Sequence, residues 1–499
     1  MILLIFSGVI GVLLVWLVLV YLEHVWKLSS YPKGPFPLPM IGNFNVLSGI
    51  PAEDFIELGK KYGDVFSLSL GMERVVVVNT IEPAREALLK GNDFAGRQTT
   101  SFPMEIQSKG FRGIGSSDFT KRHVFIRKLA YKSMHFYGNG LKRIENVALK
   151  QCDLLVEKLK QENELPVPMH QRLINYAANI SCHLLIGKTF EPEDQLFQNI
   201  LRSVMLIFQG VSQASDLIVF MPWLRHFFHT KPYKMLLEGC AIRDKIVKEQ
   251  LEYHAQTLDP NNTRDILDEL LVQCQDQEFL KEGDFKEFPI EEIFVMFSDL
   301  LLASIDTTAL VLHWAILFLT HHPEYQDKVY EELRNLNHEI TSKDMGSPSL
   351  PYLHTVIMET YRLSALTQLM IPHKAIVDTT IQGQKIPKNT TVFFNMLNIH
   401  QDARHWKDPK IFNPDRWIDS KTGEVKSEKN QSYLPFSMGS RACVGEKMGR
   451  MDVFLCISKL LLNFKMVPDE NDPLPSYNKG TAALNRAPIK DFKVIFKSR

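Results

Sequence analysis

The sequence predicts a mostly helical α+β protein with small β-sheets, preceded by an N-terminal transmembrane helix. Three observations support this: an uncharged apolar run at the N-terminus, a long interior segment without proline or glycine, and short apolar runs flanking glycine turns. The chain has 499 residues, 45% hydrophobic and 23% charged, which is typical of a folded protein with a large core. Its formal net charge of +0 favours neither nucleic acid nor an acidic polymer as partner.

The N-terminal apolar run covers residues 2–22. About 21 residues, at roughly 1.5 Å each, suffice to cross a bilayer core. A cleaved signal peptide is the alternative, but it would need a basic start, a shorter apolar stretch and a small-residue cleavage site. We therefore predict a membrane anchor over residues 1–26, with Lys27 and Lys33 favouring a cytosolic position for the rest of the chain. Residues 27–40 are proline-rich and predict a stiff hinge, and residues 41–499 predict one domain.

Strand patterns occur in three places. Residues 66–70 and 74–78 predict paired strands around Gly71, and residues 374–394 predict short strands with a turn at residues 383–384. A further strand pair is predicted between residues 480 and 496. Helical patterns dominate from the first strand pair to about residue 322.

One interior segment runs from Pro289 to Pro323 without another proline or a glycine. It predicts a helix of about 32 residues, close to 50 Å long. A second membrane span is the alternative, but Asp299, Asp306 and His313 would be costly in lipid. A buried central helix is therefore predicted.

Residues 303–308 of this segment form a polar cluster, Ala-Ser-Ile-Asp-Thr-Thr, inside an apolar run. Serine and threonine within a helix can return hydrogen bonds to carbonyls one turn back. A buried carboxylate here must be paired, protonated or functional. By itself the cluster is a weak signal of catalysis.

Glu359 and Arg362 lie three residues apart on a predicted helix. Such a pair is most often solvated and worth a few tenths of a kcal/mol. Arg416 follows in the stretch Phe-Asn-Pro-Asp-Arg-Trp, and it predicts a bidentate Arg–Glu–Arg network with the first pair.

Six scattered cysteines, without zinc-type spacing, indicate a reducing compartment and no disulfide framework. One of them, Cys443, lies in Phe-Ser-Met-Gly-Ser-Arg-Ala-Cys-Val-Gly, residues 436–445. The two glycines permit a tight turn before the cysteine and close approach of a flat ligand after it. A helix is predicted from Glu446, and backbone N–H groups at its start stabilise a thiolate. An inert core thiol is the disfavoured alternative.

This last motif, F-x-x-G-x-R-x-C-x-G, resembles the haem-binding signature of the cytochromes P450. The E-x-x-R pair, the Phe-Asn-Pro-Asp-Arg-Trp stretch and the polar helix cluster appear in that family's order, and the resemblance runs from the anchor to the C-terminus. Among animal microsomal members the chain looks most like the steroid 17α-hydroxylase/17,20-lyase group, through residues 92–97, 221–224, 371–375 and 432–436.

The resemblance implies a cytochrome P450 fold that binds haem b, iron protoporphyrin IX, with Cys443 as proximal iron ligand. Asp306 and Thr307 would relay protons, and Glu359, Arg362 and Arg416 would stabilise the fold. The remaining residues that would contact haem are Arg97, His123, Arg127, Ala303, His373, Phe436, Arg441 and Gly445. The substrate cavity would be lined by Ala303, Ser304, Met370, Ile371 and Ala482.

Two positions depart from the family pattern. Ser304 replaces the usual glycine, which narrows the oxygen-binding groove and offers an additional hydroxyl donor. His123 replaces the usual tryptophan, so the charge of that propionate contact depends on pH. Neither change removes the Asp306–Thr307 pair.

No flavin or dinucleotide motif is present, so the resemblance implies electrons from NADPH through NADPH-cytochrome P450 reductase, with cytochrome b5 as a further partner. A basic surface on the side of Cys443 is the predicted docking site; an ordinary solvated face is the alternative. It comprises Lys121, Arg122, Lys128, Lys132, Lys447 and Arg450. Residues 216–233 predict either a membrane-dipping segment or a lid over the cavity.

These features predict a monooxygenase of the endoplasmic reticulum membrane, single-pass, with its catalytic domain on the cytosolic face and no nucleic-acid partner. A steroid or sterol is the preferred substrate, with xenobiotics or fatty acids as the alternative. A reductase-independent haem-thiolate isomerase and a non-catalytic haem or lipid-binding protein are the other hypotheses. The physiological substrate, the position attacked and a C–C lyase step stay open.

Overall fold

The computed structural model describes residues 2–98, 101–136, 141–212, 225–283, 285–428 and 431–499. The chain divides into two compact units, each discontinuous in sequence. The first unit comprises Met1–Gln98, Leu369–Ile399 and Met438–Arg441, and the second comprises Thr99–Gln368, His400–Ser437 and Ala442–Arg499. Helices predominate and the sheets are small, so the predicted α+β class is confirmed.

The first unit is built on the strands β1 Val65–Leu70, β2 Glu73–Val78, β3 Gly96–Arg97, β5 His373–Lys374 and β8 Thr391–Phe394. They form a five-stranded sheet of order β1-β2-β8-β5-β3. The predicted first hairpin is confirmed, because β1 and β2 pair antiparallel and Gly71 between them has a φ of +60° that glycine adopts without strain. Strand β8 runs parallel to β2, and β5 pairs antiparallel with both β8 and β3.

A separate hairpin, β6 Thr379–Ile381 with β7 Gln384–Ile386, lies in the same unit. Its turn is formed by Gln382 and Gly383, which both have positive φ. The turn is therefore one residue earlier than predicted, and Gln384 already belongs to a strand.

The proline-rich segment after the first helix packs against β1. The Ser67 hydroxyl donates to the Pro32 carbonyl at 2.6 Å, and the Ser67 amide donates to the Lys33 carbonyl at 3.2 Å. The Asn43 side chain donates to the Phe36 carbonyl at 3.1 Å. These hydrogen bonds anchor the segment on the sheet, so its carbonyls are not left to solvent as in a free spacer.

The predicted long helix is confirmed as Ile290–His321, with Pro289 as its N-cap. It ends before Pro323, which begins the next helix, because proline cannot continue the hydrogen-bond ladder. Among the residues whose side chains the structure describes, which leave out residues 2–10 and 13 of the N-terminal helix, it is the helix long and apolar enough to cross a membrane. However, 67% of its most apolar 18 residues are buried. It packs mainly against His170–Ile186 and also contacts Glu446–Asn463 and Pro351–Ser364, as expected of a core helix.

The other helices vary from short turns to more than six helical turns. They are Ile2–Trp26, Pro51–Tyr62, Ile81–Leu89, Phe102–Gln107, Gly113–Ser116, Lys121–Phe136, Leu141–Gln161, Gln195–Val211, Lys231–Thr257, Ile266–Gln273, Gln277–Lys281, Pro323–Arg334 and Met396–Gln401. Three of the helices begin with proline at their first position, where the missing N–H costs nothing.

The C-terminal strand pair differs from the prediction. Strand β10, Lys493–Ser498, pairs with β9, Phe464–Pro468, and with β4, Val167–Pro168. Gly480 makes an isolated bridge to Pro488 and no strand. The apolar alternation of β9 follows a helix without a turn signal, which is why the sequence did not reveal it. The predicted membrane-dipping or lid segment covers residues 216–233, and its residues 216–224 lie outside the described residues. This stretch includes residues 221–224, which carry part of the resemblance to the steroid 17α-hydroxylase/17,20-lyase group.

Candidate active site

Cys443 immediately precedes the helix Glu446–Asn463, whose N-cap is Gly445. The Cys443 amide donates to the Phe436 carbonyl at 2.9 Å, which closes the loop. Among the six cysteines Cys443 is the exposed one, and the others are buried or half-buried. A Cβ at Gly445 would meet no atom within 4 Å, so the space beside the thiol is open.

Opposing effects act on the pKa of the Cys443 thiol. The dense protein around the loop raises the pKa of the Cys443 thiol above its ordinary value, whereas the Gly445 N–H and the Arg127 guanidinium lower it. Arg127 itself donates to the carbonyl of Ala442, the residue before the thiol. An exposed thiol at a helix start, with an open side and a nearby guanidinium, suits ligation of a metal within a flat group.

In the first unit, three buried side chains form a cationic cluster: Arg97, His373 and Arg441. Arg97 and His373 lie opposite each other in the register of β3 and β5. The His373 Nδ1 lies 2.7 Å from the Phe94 carbonyl. The Arg441 Nε donates to the Ala95 carbonyl at 2.6 Å.

The charge of this cluster comes from its two arginines. Burial, reinforced by Arg97 and Arg441, holds the pKa of His373 well below its ordinary value, so its ring is neutral at pH 7. A neutral ring that donates through Nδ1 has only an acceptor at Nε2. Two buried guanidiniums suit the anionic edge of a haem, whereas His373 would bind a carboxylate there only after taking up a proton.

The central helix presents one open face. Ala303 is exposed, and Ser304 and Thr307 are half-buried. The Thr307 hydroxyl donates to the Ala303 carbonyl at 2.6 Å, and the Ser304 hydroxyl donates to the Leu300 carbonyl at 2.8 Å. The hydroxyl that the sequence offers as an additional donor is thus satisfied within the helix.

Asp306 is held by a residue that sequence reasoning missed. The Asn485 amide donates to the Asp306 Oδ2 at 2.7 Å, across 179 residues of sequence. Burial raises the pKa of Asp306, and this hydrogen bond partly offsets the increase. No motif marks Asn485, so only the folded chain reveals the contact.

Asp299 was noted in the sequence only as a charge incompatible with lipid. Its Oδ2 accepts the amides of Ile114 and Gly115 at 2.7 and 3.0 Å. A Cβ at Gly113, whose φ is +78°, would lie 2.4 Å from the same oxygen. Burial raises the pKa of Asp299 to about 6 despite these bonds. Asp299 therefore ties the turn Gly113–Ser116 to the central helix.

The structure brings the predicted arginine–glutamate network together. Glu359 accepts from Arg362 at 2.7 and 2.8 Å and from Arg416 at 3.0 Å, and the Trp417 indole donates to it at 2.9 Å. Burial by itself would raise the pKa of Glu359, but the two guanidiniums outweigh it and hold the pKa low. Glu359 and Arg362 are fully buried, so this is a core network and not a solvated pair.

Among the described residues, three of the six members of the predicted basic surface form ion pairs with acidic side chains. Arg122 pairs with Glu292 at 2.6 Å, Arg450 pairs with acidic residues at 2.8 and 2.9 Å, and Lys128 pairs with Glu282. His123 is buried against Phe119 with ring centroids 5.8 Å apart. These ion pairs lower the net positive charge that the surface offers a partner.

Known proteins resemble the chain over nearly its whole length. The Cytochrome P450 family profile matches residues 32–494. A steroid 17-alpha-hydroxylase/17,20 lyase from Rana dybowskii is 31% identical over 96% of this chain and 93% of its own length. Human cytochrome P450 2J2 is 29% identical over 89% of this chain and 88% of its own length.

A solved structure of a zebra fish cytochrome P450 with progesterone superimposes with a TM-score of 0.78. Its sequence is 28% identical, and the match covers 90% of this chain and 99% of that one. The family match, the thiol loop with its open side and the buried arginine–glutamate network lead to one conclusion. The chain belongs to the cytochrome P450 family and is a haem-thiolate monooxygenase.

Proposed function

We propose that the chain hydroxylates a steroid, using O2 and two electrons that NADPH supplies through NADPH-cytochrome P450 reductase, with cytochrome b5 as a further partner. The observation that supports a steroid most directly is the similarity to steroid 17-alpha-hydroxylase/17,20 lyases over 96% of the chain. The zebra fish relative solved with progesterone adds to it.

Cys443 is proposed to hold the haem iron through its thiolate, and Phe436 and Gly445 would also contact the haem. Bound haem supplies oxygen binding and insertion of one oxygen atom into a C–H bond, and a thiolate ligand favours O–O cleavage. Ahead of the helix Glu446–Asn463, the backbone N–H groups support negative charge on the sulfur. The guanidinium of Arg127, held at the Ala442 carbonyl, acts in the same direction.

The haem propionates are proposed to lie against Arg97, His123, Arg127, His373 and Arg441. Arg97 and Arg441 are buried and carry the charge. His373 is neutral without such a partner, so a contact with an ionised propionate requires that His373 take up a proton. Haem loading is then coupled to protonation at this position.

Asp306 and Thr307 are proposed to hold and transfer the two protons that reduction of one oxygen atom to water consumes. The Thr307 hydroxyl lies on the open face of the central helix, and its bond to the Ala303 carbonyl fixes its rotamer. A partly buried carboxyl with a raised pKa holds a proton nearer to neutral pH than an exposed one does.

The substrate is proposed to contact Ala303, Ser304, Met370, Ile371 and Ala482. The exposed methyl of Ala303 and the internally bonded hydroxyl of Ser304 offer an apolar surface. This favours a hydrophobic molecule over a polar one.

The N-terminal helix Ile2–Trp26 is proposed to anchor the enzyme in the endoplasmic reticulum membrane, with the catalytic part in the cytosol. The helix is 25 residues long, and apolar side chains such as Val12, Trp16 and Leu19 are exposed. A helix of this length spans the hydrocarbon core. The proline-rich residues 27–40 after this helix are proposed as the hinge.

The test is a binding and turnover panel with the purified, haem-loaded full chain. Progesterone, a C12 fatty acid and a planar aromatic are titrated while the haem spin state is recorded, and any compound that shifts it is assayed with reductase and NADPH. A steroid hydroxylase shifts with progesterone and forms hydroxylated product. The Cys443→Ser variant is the control, because its carbon monoxide complex must lack the thiolate-shifted Soret band.

A xenobiotic or fatty-acid monooxygenase is the second candidate function. The 29% identity to human cytochrome P450 2J2 is close to the 31% identity to the Rana dybowskii steroid 17-alpha-hydroxylase/17,20 lyase, so overall identity favours a steroid by a small margin. Turnover of the fatty acid or the aromatic without any response to progesterone would replace the steroid proposal with this one. Turnover of a lipid peroxide without NADPH would indicate an isomerase instead.

A further inference from the structure

The carboxylate of Asp306 has a dedicated partner outside its own helix. The Asn485 amide donates to it at 2.7 Å, and Asn485 is 7% exposed. A hydrogen bond to an ionised carboxylate is stronger than one between neutral groups. The bond therefore fixes the rotamer of Asp306 and stabilises its ionised form.

A second hydrogen bond, from Thr367, sets the orientation of the Asn485 amide. The Thr367 hydroxyl donates to the Asn485 Oδ1 at 3.1 Å. Because that oxygen is engaged, the NH2 group is the end that faces Asp306. The hydrogen bonds thus form a chain in which Thr367 donates to Asn485 and Asn485 donates to Asp306.

The loop that carries Asn485 is held at its base. The Arg486 amide donates to the Leu366 carbonyl at 2.6 Å, and the Trp314 indole donates to the Arg486 carbonyl at 2.8 Å. The Thr481 amide donates to the Ala487 carbonyl at 2.9 Å and closes the hairpin. Asn485 is therefore placed by a rigid backbone, since both of its flanks are bonded.

The tip of the same loop is open. Ala482 is exposed, and the Leu484 amide makes a longer bond of 3.3 Å to the Ser212 hydroxyl. Ala482 is the loop residue proposed to contact substrate. One short loop therefore carries both the substrate contact and the partner of the acid.

We infer that Asn485 is a positioning residue of the oxygenation reaction: it orients Asp306 for proton delivery and links that acid to the substrate-contacting loop at Ala482. The inference rests on the proposed role of Asp306. Because both flanks of Asn485 are bonded, its amide holds the Asp306 carboxyl in one orientation beside the loop tip.

The test compares the variants Asn485→Leu and Asn485→Gln with the native chain, all haem-loaded and full length. Leucine has the same branched arrangement of heavy atoms but no donor, whereas glutamine keeps the amide. The first readout is the infrared carboxyl band of Asp306, assigned by its loss in Asp306→Asn, followed through a pH titration without substrate. The second is hydroxylated product formed per NADPH consumed.

In Asn485→Leu we expect the carboxyl band to titrate at higher pH, because the ionised form has lost its donor. We expect product per NADPH to fall on the order of tenfold, since a positioned proton donor contributes about 10²–10⁴-fold. In Asn485→Gln, the pH at which the carboxyl band titrates and the product formed per NADPH should both lie between the values for Asn485→Leu and for the native chain. Haem content and the substrate-induced spin shift should stay unchanged.

An unshifted carboxyl titration in Asn485→Leu overturns the inference, whatever the substrate of the enzyme is. If the band does shift but Asp306→Asn retains full product per NADPH, the proposed role of Asp306 is the part that fails. Thr367→Val supplies a second variant should leucine impair folding. It removes the hydroxyl that orients Asn485 and should shift the band in the same direction by less.

Discussion

Asp452 is a buried carboxyl whose replacement by asparagine should stabilise the enzyme at neutral and alkaline pH. It lies on the helix after Cys443 and is 7% exposed. Among the described residues its Oδ1 has no hydrogen-bond partner. Burial accordingly raises the pKa of Asp452 from 3.8 to about 7.

The sign of the effect is set by proton binding. Between pH 3.8 and about 7 the folded protein binds more protons at Asp452 than the unfolded chain does. The free energy of unfolding therefore falls as pH rises through this range and is constant above it. A difference of about 3 pH units corresponds to about 4 kcal/mol, since one unit is about 1.36 kcal/mol.

The assay is the thermal unfolding midpoint of the haem-loaded native enzyme and the Asp452→Asn variant from pH 5 to pH 8. For a chain of this size about 4 kcal/mol corresponds to about 4 °C. By pH 5 the native enzyme has already lost about 1.6 kcal/mol of this stability, so the midpoint of the variant should exceed that of the native enzyme by about 2 °C at pH 5 and by about 4 °C at pH 8. Asp153→Asn, on the surface of the helix Leu141–Gln161, is the matched control and should show no such trend. A pH-independent difference between native enzyme and Asp452→Asn would rule out this account, because it would show that Asp452 does not change its protonation state.

Three further predictions concern the arginine–glutamate network and the loop that carries Cys443. Glu359→Gln leaves two buried guanidiniums without their carboxylate and should cost about 3–5 kcal/mol of unfolding free energy, measured by urea unfolding. Gly439 has a φ of +75°, and a Cβ there would lie 2.2 Å from the Leu88 carbonyl oxygen, so Gly439→Ala should lower the unfolding midpoint. Gly445→Ala meets no protein atom and should fold normally, yet reduce haem content per protein by Soret absorbance because the methyl occupies the space beside the thiol.

Each of these predictions has a matched comparison. Glu332→Gln is the control for Glu359, because Glu332 accepts two backbone amides and has no arginine partner among the described residues. The Glu332→Gln substitution should lower the free energy of unfolding by about 1 kcal/mol or less. Equal losses in the two glutamine variants would contradict a stabilising role of the arginine–glutamate network. Equal haem content in Gly445→Ala and the native enzyme would contradict a close approach of the haem at Gly445.

Local patterns in the sequence predicted the features that depend on neighbouring residues. The 32-residue central helix was predictable because no proline or glycine interrupts residues 290–321. The Cys443 loop was predictable because glycine spacing and the start of the next helix are local signals. The first hairpin was predictable because Gly71 separates two apolar runs.

Contacts between groups that are distant in the sequence became evident only in the folded chain. Asn485 reaches Asp306, and Asp299 ties down the turn at Gly113, through contacts that no spacing rule encodes. The sequence likewise misplaced the C-terminal strand pair, since β9 has no turn signal before it. These cases share one cause: local backbone preferences depend on a few adjacent residues, whereas the partner and pKa of a buried carboxyl depend on what the fold packs around it. The sequence therefore pointed to the proposed haem ligand Cys443 and the proposed proton-transfer pair Asp306 and Thr307, and the fold decided how Asp306 is held.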